Sequence, residues 1–231
     1  MIYFDNAATT KPLEVALKSF IEISENNFAN PSSLHKEGKN SRQIIEKSKE
    51  EFKKIINAND GELIFTSSAT LSNNIAICGY FNYLKGKIKN RKLKILYCEA
   101  DHPSIVDTIK NLSDIELRGI LYPQLYEKLQ KYKNKSNYEI SGNYKNESET
   151  DDIEEYLLSL YYNEIEKFKP DILVLQWVNN ENGLILPVEK IARYARKYNE
   201  NILIHADAVQ GFLKLPLFIL DNIDSVSFSA H

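Results

Sequence analysis

"NILIHAD", residues 201–207, runs a short Ile/Leu segment directly into a histidine and an aspartate. A run this short and this apolar reads as a strand covered on both faces, not as one with a face turned to water. It then delivers polar side chains at the point where the strand leaves its core. The same reading applies to "ELIFT" (62–66), "KILYCEA" (94–100), "DILVLQWV" (171–178) and "DSVSFS" (224–229). Helical patterns lie between several of these, at roughly 70–85, 103–111 and 187–199, and Pro187 suits a first helical turn. After Pro31, residues Ile44, Ile45, Phe52, Ile55 and Ile56 share one side of a helical wheel with lysines and glutamates opposite, an amphipathic surface helix. Strands alternating with helices predict the α/β class: a mainly parallel sheet with helices on both faces. Residues 123–152, rich in Lys, Asn, Ser, Glu and Tyr, read as a solvated insertion, with a partner-docking loop as the functional alternative.

The 231 residues are 43% hydrophobic, enough for a sizeable core. A formal net charge of −3 gives no basic footprint, which argues against nucleic acid or an anionic membrane as partner. No apolar stretch approaches the roughly 20 residues of a membrane span. Ile2 to Phe4 follow the initiator methionine with no signal-peptide pattern, so a cytoplasmic protein is expected. Cys78 and Cys98 lack metal-ligand spacing and sit in apolar contexts, where reduced core thiols are expected.

In open α/β sheets ligands gather at the carboxyl ends of strands. "FTSSATLSNN" (65–74) enters a helix with Ser, Ala and Thr at the turn, where free backbone N–H groups and the helix dipole suit a phosphate; the alternative is an ordinary N-cap. "EADHPS" ends the next strand with His102, "WVNNENG" another with Asn179, Asn180 and Glu181, and "IHADAVQ" supplies Asp207 and Gln210. "SFSAH" adds Ser229 and His231. Such a set matches in kind what pyridoxal phosphate requires: a helix terminus for the phosphate, a carboxylate for the ring nitrogen, a flat group over the ring and a lysine for its aldehyde.

In order and approximate spacing, "YFDNAATT", "NPSSLH", "FTSSATLSNN", "DHPS", "VNNENG", "HADAVQGFLKLPL" and "SFSAH" resemble the pyridoxal-phosphate-dependent cysteine desulfurases of the NifS/IscS-like group, relatives of the class V aminotransferases. The resemblance spans all but 123–152 and implies the fold type I architecture of PLP-dependent transferases, with residues 1–14 in the small domain and 15–231 forming an incomplete large domain. It also implies residue roles. Ala69 and Thr70 hold the phosphate with Ser229, Ala230 and His231. His102 stacks on the ring and shuttles protons, Asp207 pairs with the ring nitrogen, and Gln210 and Asn180 lie by the phenolic oxygen. The implied reaction takes L-cysteine to alanine and an enzyme persulfide, with a sulfur acceptor or iron–sulfur scaffold protein as partner and a homodimer when complete. Ser68 and Leu71 depart from the family's phosphate turn, where glycine and glutamate are usual, and Trp177 stands where a histidine or smaller residue is common.

The resemblance places the Schiff-base lysine directly after His231, with the persulfide cysteine and the substrate-binding arginine later still. The 231-residue chain is therefore expected to be inactive alone, and exposed strand edges predict low stability for it. Three other readings stay open. One is another class V enzyme, an aminotransferase or selenocysteine lyase. Another is a non-catalytic remnant or scaffold. The last is a metal hydrolase using His205, Asp207, His102 and His231; in the leading reading no metal is expected.

Overall fold

The computed structural model describes residues 2–58, 60–122, 147–216 and 221–230, with backbone only for 147–152. The chain divides into two compact units, residues 1–65 with 230–231, and residues 66–229.

Two helices make up the regular structure of the first unit, α1 (Glu14–Asn26) and α2 (Lys36–Ile55). His35 caps α2, its ring nitrogen accepting the Gly38 N–H at 3.2 Å. Ser41 Oγ then donates to the Asn27 carbonyl at 2.9 Å and Arg42 Nε to the Pro31 carbonyl at 2.8 Å, tying α2 to the loop before it. The amphipathic pattern read from the sequence does form a helix, but its apolar side is only partly covered, and Ile55 is exposed. Helix α1 was not foreseen, although Leu17, Phe20 and Ile21 carry helical spacing. No residue of α1 is buried.

The second unit is a five-stranded parallel sheet: β1 (Leu93–Cys98), β2 (Ile115–Ile120), β3 (Ile172–Gln176), β4 (Leu203–Asp207) and β5 (Ser225–Ser227), in the order β2-β1-β3-β4-β5. Its helices are α3 (Ala69–Lys87), α4 (Pro103–Lys110), α5 (Glu147–Phe168) and α6 (Val188–Tyr198). The chain steps outward from β1 to β2 through α4, then returns past β1 to β3 and continues in the opposite direction. Right-handed crossovers running in opposite directions put α4 on one face and α5 and α6 on the other. Ile77, Phe81 and Leu84 of α3 and Ile105 and Ile109 of α4 pack with Ile95, Tyr97, Ile172 and Val174 of the sheet. Elsewhere Tyr162 of α5 stacks on Tyr194 of α6 with ring centroids 3.8 Å apart.

At the amino end of β3, Asp171 accepts both terminal nitrogens of Arg91 at 2.6 Å and the Lys94 N–H at 2.9 Å, fixing β1 beside β3. That adjacency matters because the gap between β1 and β3 is where the winding direction reverses, and crevices open at the carboxyl ends of strands at such a reversal.

Three expectations need correction. "ELIFT" (62–66) forms no strand: it pairs with neither sheet edge, and Ile64 and Phe65 are 59% and 63% exposed. An apolar run needs a neighbouring ladder to become a strand, and here there is none among the described residues. Cys78 is half-buried, not a core thiol, whereas Cys98 is buried and its thiol pKa is pushed up to about 11, chiefly by that burial. Of the proposed insertion, residues 123–146 lie outside the described residues, while 147–152 already belong to α5.

Gly211 lies against the ring of Trp177, where an added Cβ would stand 2.4 Å from Cε3. Trp177 is 5% exposed, so its ring has little room to move away, and its backbone N–H donates to the Asp207 carbonyl at 2.8 Å, which holds the strand beneath it. Gly211→Ala should cost about 1–3 kcal/mol by overpacking. A urea unfolding curve followed by the sole tryptophan checks this, and an unchanged midpoint would refute it.

Candidate functional site

Strands β1, β3 and β4 end side by side, and each end carries a turn stiffened by its own polar groups. After β1, Asp101 accepts the Cys98 N–H at 3.1 Å, and His102 caps α4 by accepting the Ser104 N–H on Nδ1 at 3.1 Å. After β3, Asn179 donates to the Ala100 carbonyl at 2.7 Å and to Gln176 Oε1 at 3.1 Å, while its Oδ1 accepts the N–H groups of Glu181 and Asn182. Gly183 closes this turn with φ 73°, a left-handed conformation that glycine adopts without strain. Asn180 beside it accepts Gln176 Nε2 at 3.1 Å. After β4, Asp207 is 3% exposed; Oδ1 accepts the Val209 N–H at 3.0 Å and Oδ2 accepts Asn73 Nδ2 at 2.9 Å.

The bond from Asn73 connects the sheet end to the turn before α3. Asn73 lies four residues after Ala69, about 6 Å along the helix axis. Ser68 caps the helix by accepting the Leu71 N–H at 3.2 Å, and the Ser72 N–H goes to the Ser68 carbonyl. The N–H groups of Ala69 and Thr70 are left with no hydrogen bond among the described residues, as first-turn donors are unless an outside acceptor meets them. Serine in place of the usual glycine at 68 is therefore a working cap, and Leu71 simply faces solvent at 42% exposure.

Of the residues singled out from the sequence, Ala69, Thr70, His102, Asn180, Asp207, Gln210 and Ser229 all lie in the second unit at or beyond these strand and helix ends. Gln210 is half-buried, its Oε1 accepting Lys214 Nζ at 3.2 Å. Ala230 is exposed and belongs with the first unit, and His231 lies outside the described residues. A cavity of about 550 Å³ opens beside Thr70 and His102 and runs between α3 and α4 past Asn74, Cys78 and Asp107.

The family model for class-V aminotransferases matches residues 2–128 and 129–231. The chain belongs to the aminotransferase class-V family. Among curated members of this family, cysteine desulfurase IscS of Neisseria meningitidis serogroup C is 28% identical over the whole chain, which covers 49% of that relative. The probable mitochondrial cysteine desulfurase of Dictyostelium discoideum is 31% identical, again over the whole chain, with 44% of it covered. A solved NifS-like protein superimposes with a TM-score of 0.75 at 25% identity, over all of this chain and 55% of that one. SspA in complex with cysteine, at TM-score 0.73 and 24% identity, shares the fold. The chain spans about half the length of the curated relatives it matches.

In this class-V chain the buried carboxyls have shifted protonation. Burial pushes Asp207 above the usual carboxylate range, opposed by its two N–H donors and by His102. Asp101, buried and facing the like charge of Asp207, is pushed up to about 8. His205 is fully buried and its pKa falls to about 4, so the ring is neutral. Both its nitrogens are engaged, Nδ1 with Ser225 Oγ at 2.7 Å and Nε2 with Asn73 Oδ1 at 3.0 Å, which leaves none to ligate a metal as the hydrolase reading requires. Three residues escaped sequence reasoning: Asn73, Asp101 and Ser104. The burial of Asn73 was legible, since it is in register with Ile77, Phe81 and Leu84 on one side of α3, but its partners were not.

Proposed function

We propose that the complete protein is a cysteine desulfurase and that the described strand ends form its pyridoxal phosphate pocket. The observation carrying this reading is the 2.9 Å bond from Asn73 to Asp207, which sets a buried carboxyl close to a helix N-terminus with unspent donors. A carboxyl on one side of such a pocket and anion-binding N–H groups on the other fit a heterocycle with a phosphate arm. Ala69 and Thr70 would hold the phosphate together with Ser229, Ala230 and His231. Asp207 would face the ring nitrogen, His102 would cover the ring, and Asn180 and Gln210 would lie toward the phenolic oxygen.

When bound, pyridoxal phosphate supplies an electron sink for the bonds around the substrate's α-carbon. The chain's part is to orient and to hold protons. An ionised Asp207 would keep a proton on the cofactor's ring nitrogen, the opposite charge favouring the ionised carboxyl that burial otherwise opposes. His102 accepts the Ser104 N–H on Nδ1 and lies 2.8 Å from Ser104 Oγ through the same atom, which leaves Nε2 as the ring nitrogen without a protein partner among the described residues.

L-Cysteine as substrate, a persulfide delivered to an acceptor or iron–sulfur scaffold protein, cytoplasmic location and residues 1–14 in the small domain belong to the same proposal. So does a homodimer, supported by Leu13, Phe20, Ile21 and Phe28, which the described chain leaves exposed. No described helix is long and apolar enough to cross a membrane. The test is to incubate the complete protein with pyridoxal phosphate, L-cysteine and a thiol reductant. Alanine and sulfide should form in equal amounts. Amino-group transfer to a keto acid without sulfide, or selenide release with no reaction of cysteine, would replace this reading by one of the other class V activities.

A further inference from the structure

Asn73 is 1% exposed and uses every polar atom of its side chain. Nδ2 lies 2.9 Å from Asp207 Oδ2 and 2.9 Å from Ser104 Oγ, and Oδ1 lies 3.0 Å from His205 Nε2. The Asp207 carboxyl accepts the Val209 N–H on Oδ1 and the Asn73 amide nitrogen on Oδ2, which leaves the amide oxygen to face His205. His205 Nε2 therefore carries the proton and Nδ1 is bare. Ser225 Oγ, 2.7 Å from Nδ1, gives it its only hydrogen and in turn accepts the Tyr80 hydroxyl at 2.6 Å. On the other branch, Ser104 Oγ accepts from Asn73 and passes its hydrogen to His102 Nδ1 at 2.8 Å. One amide orientation thus dictates hydrogen positions from Tyr80 to His102, across α3, α4, β4 and β5. Flipping it would set the amide oxygen against Asp207 Oδ2 and two donors against each other at His205.

We infer that Asn73, locked by His205, is a positioning residue that sets the direction and charge of the Asp207 carboxyl and steadies the His102 ring. Its consequence for cofactor binding rests on the pyridoxal phosphate reading; the hydrogen-bond assignment does not. His205 is correspondingly a support for Asn73, not a group that touches the cofactor.

Long-range proton–nitrogen correlation spectra of the ¹⁵N-labelled chain, which has four histidines, test the assignment without any ligand. His205 should be the neutral Nε2–H tautomer. Finding His205 as Nδ1–H, or as a mixture, would mean the amide is reversed and would overturn the inference. Asn73→Leu should then bind pyridoxal phosphate about tenfold more weakly or worse, the scale of one lost hydrogen bond to a charged group, with its fold checked by circular dichroism. Ser225→Ala, which spares every Asn73 contact, should bind within about twofold of wild type on the same scale. Wild-type affinity in Asn73→Leu would also overturn it. Should that variant not fold, Asn73→Ser, which leaves room for water, carries the same expectation. If the wild-type chain binds no pyridoxal phosphate, the pocket reading fails while the tautomers still decide the placement of Asn73.

Discussion

Asp207→Asn weakens pyridoxal phosphate binding by roughly two to four orders of magnitude, the 3–5 kcal/mol expected when one member of a buried charge pair is removed. Asparagine is nearly isosteric and its Oδ1 can still accept the Val209 N–H, so the turn after β4 keeps its shape. What disappears is the charge, together with the bond from Asn73 Nδ2, because the new amide nitrogen stands where Oδ2 accepted it. Burial makes Asp207 hold its proton more tightly than an ordinary carboxyl, so its ionised form is costly in the free protein. A protonated ring nitrogen relieves that cost, and the relief is binding energy. Quenching of the sole tryptophan, Trp177, whose backbone N–H is hydrogen-bonded to the Asp207 carbonyl, gives the affinity directly. Thermal unfolding gives it independently, because a ligand held only by the native state raises the midpoint with the logarithm of its concentration relative to Kd. The wild-type midpoint should climb with added pyridoxal phosphate and that of Asp207→Asn should stay nearly level. Equal affinities would remove Asp207 from the pocket.

Legibility in the sequence followed covering. Strands β1, β3 and β4 are buried on both faces, and their continuous apolar runs were plain. Edge strand β2 escaped because it alternates, with Glu116 and Arg118 exposed between half-buried Ile115, Leu117 and Gly119. "ELIFT" shows the converse: an apolar run states what a segment could bury, not whether a neighbour is there to pair with it. At the site, the residues at chain ends of elements were readable because the parallel topology forces those ends together. Asn73 was not assigned because its role depends on contacts 31, 132 and 134 residues away in the chain, which no local pattern encodes. Nor were the bland and the functional readings exclusive: His102 does cap α4, and Asn180 does sit in a turn beside Gly183.

The same burial shapes stability against pH, with two groups pulling in opposite directions. His205 takes a proton near its ordinary 6.5 in the unfolded chain but only near 4 in the native one, so native stability falls as pH drops through that window, by roughly 3 kcal/mol in total. Asp101 loses its proton near 3.8 when unfolded and near 8 when folded, so stability falls as pH rises between those values, by roughly 6 kcal/mol. Asp207, also raised, adds in the direction of Asp101; Glu99, lowered by the Tyr97 hydroxyl and Lys110, adds in that of His205. From about pH 4 to 6.5 the two slopes oppose and the profile is shallow. From 6.5 to 8 Asp101 still titrates while His205 no longer does, and stability declines. Urea unfolding across this range separates the terms. Asp101→Asn, which keeps an acceptor for the Cys98 N–H, should be more stable than wild type at pH 8 by several kcal/mol and should gain stability from pH 4 to 6.5. His205→Gln should instead decline steadily from pH 4 upward, whatever its absolute stability. A wild-type profile that rises between pH 6.5 and 8 would show that Asp101 ionises freely, and with it that the crevice between β1 and β3 is open to water.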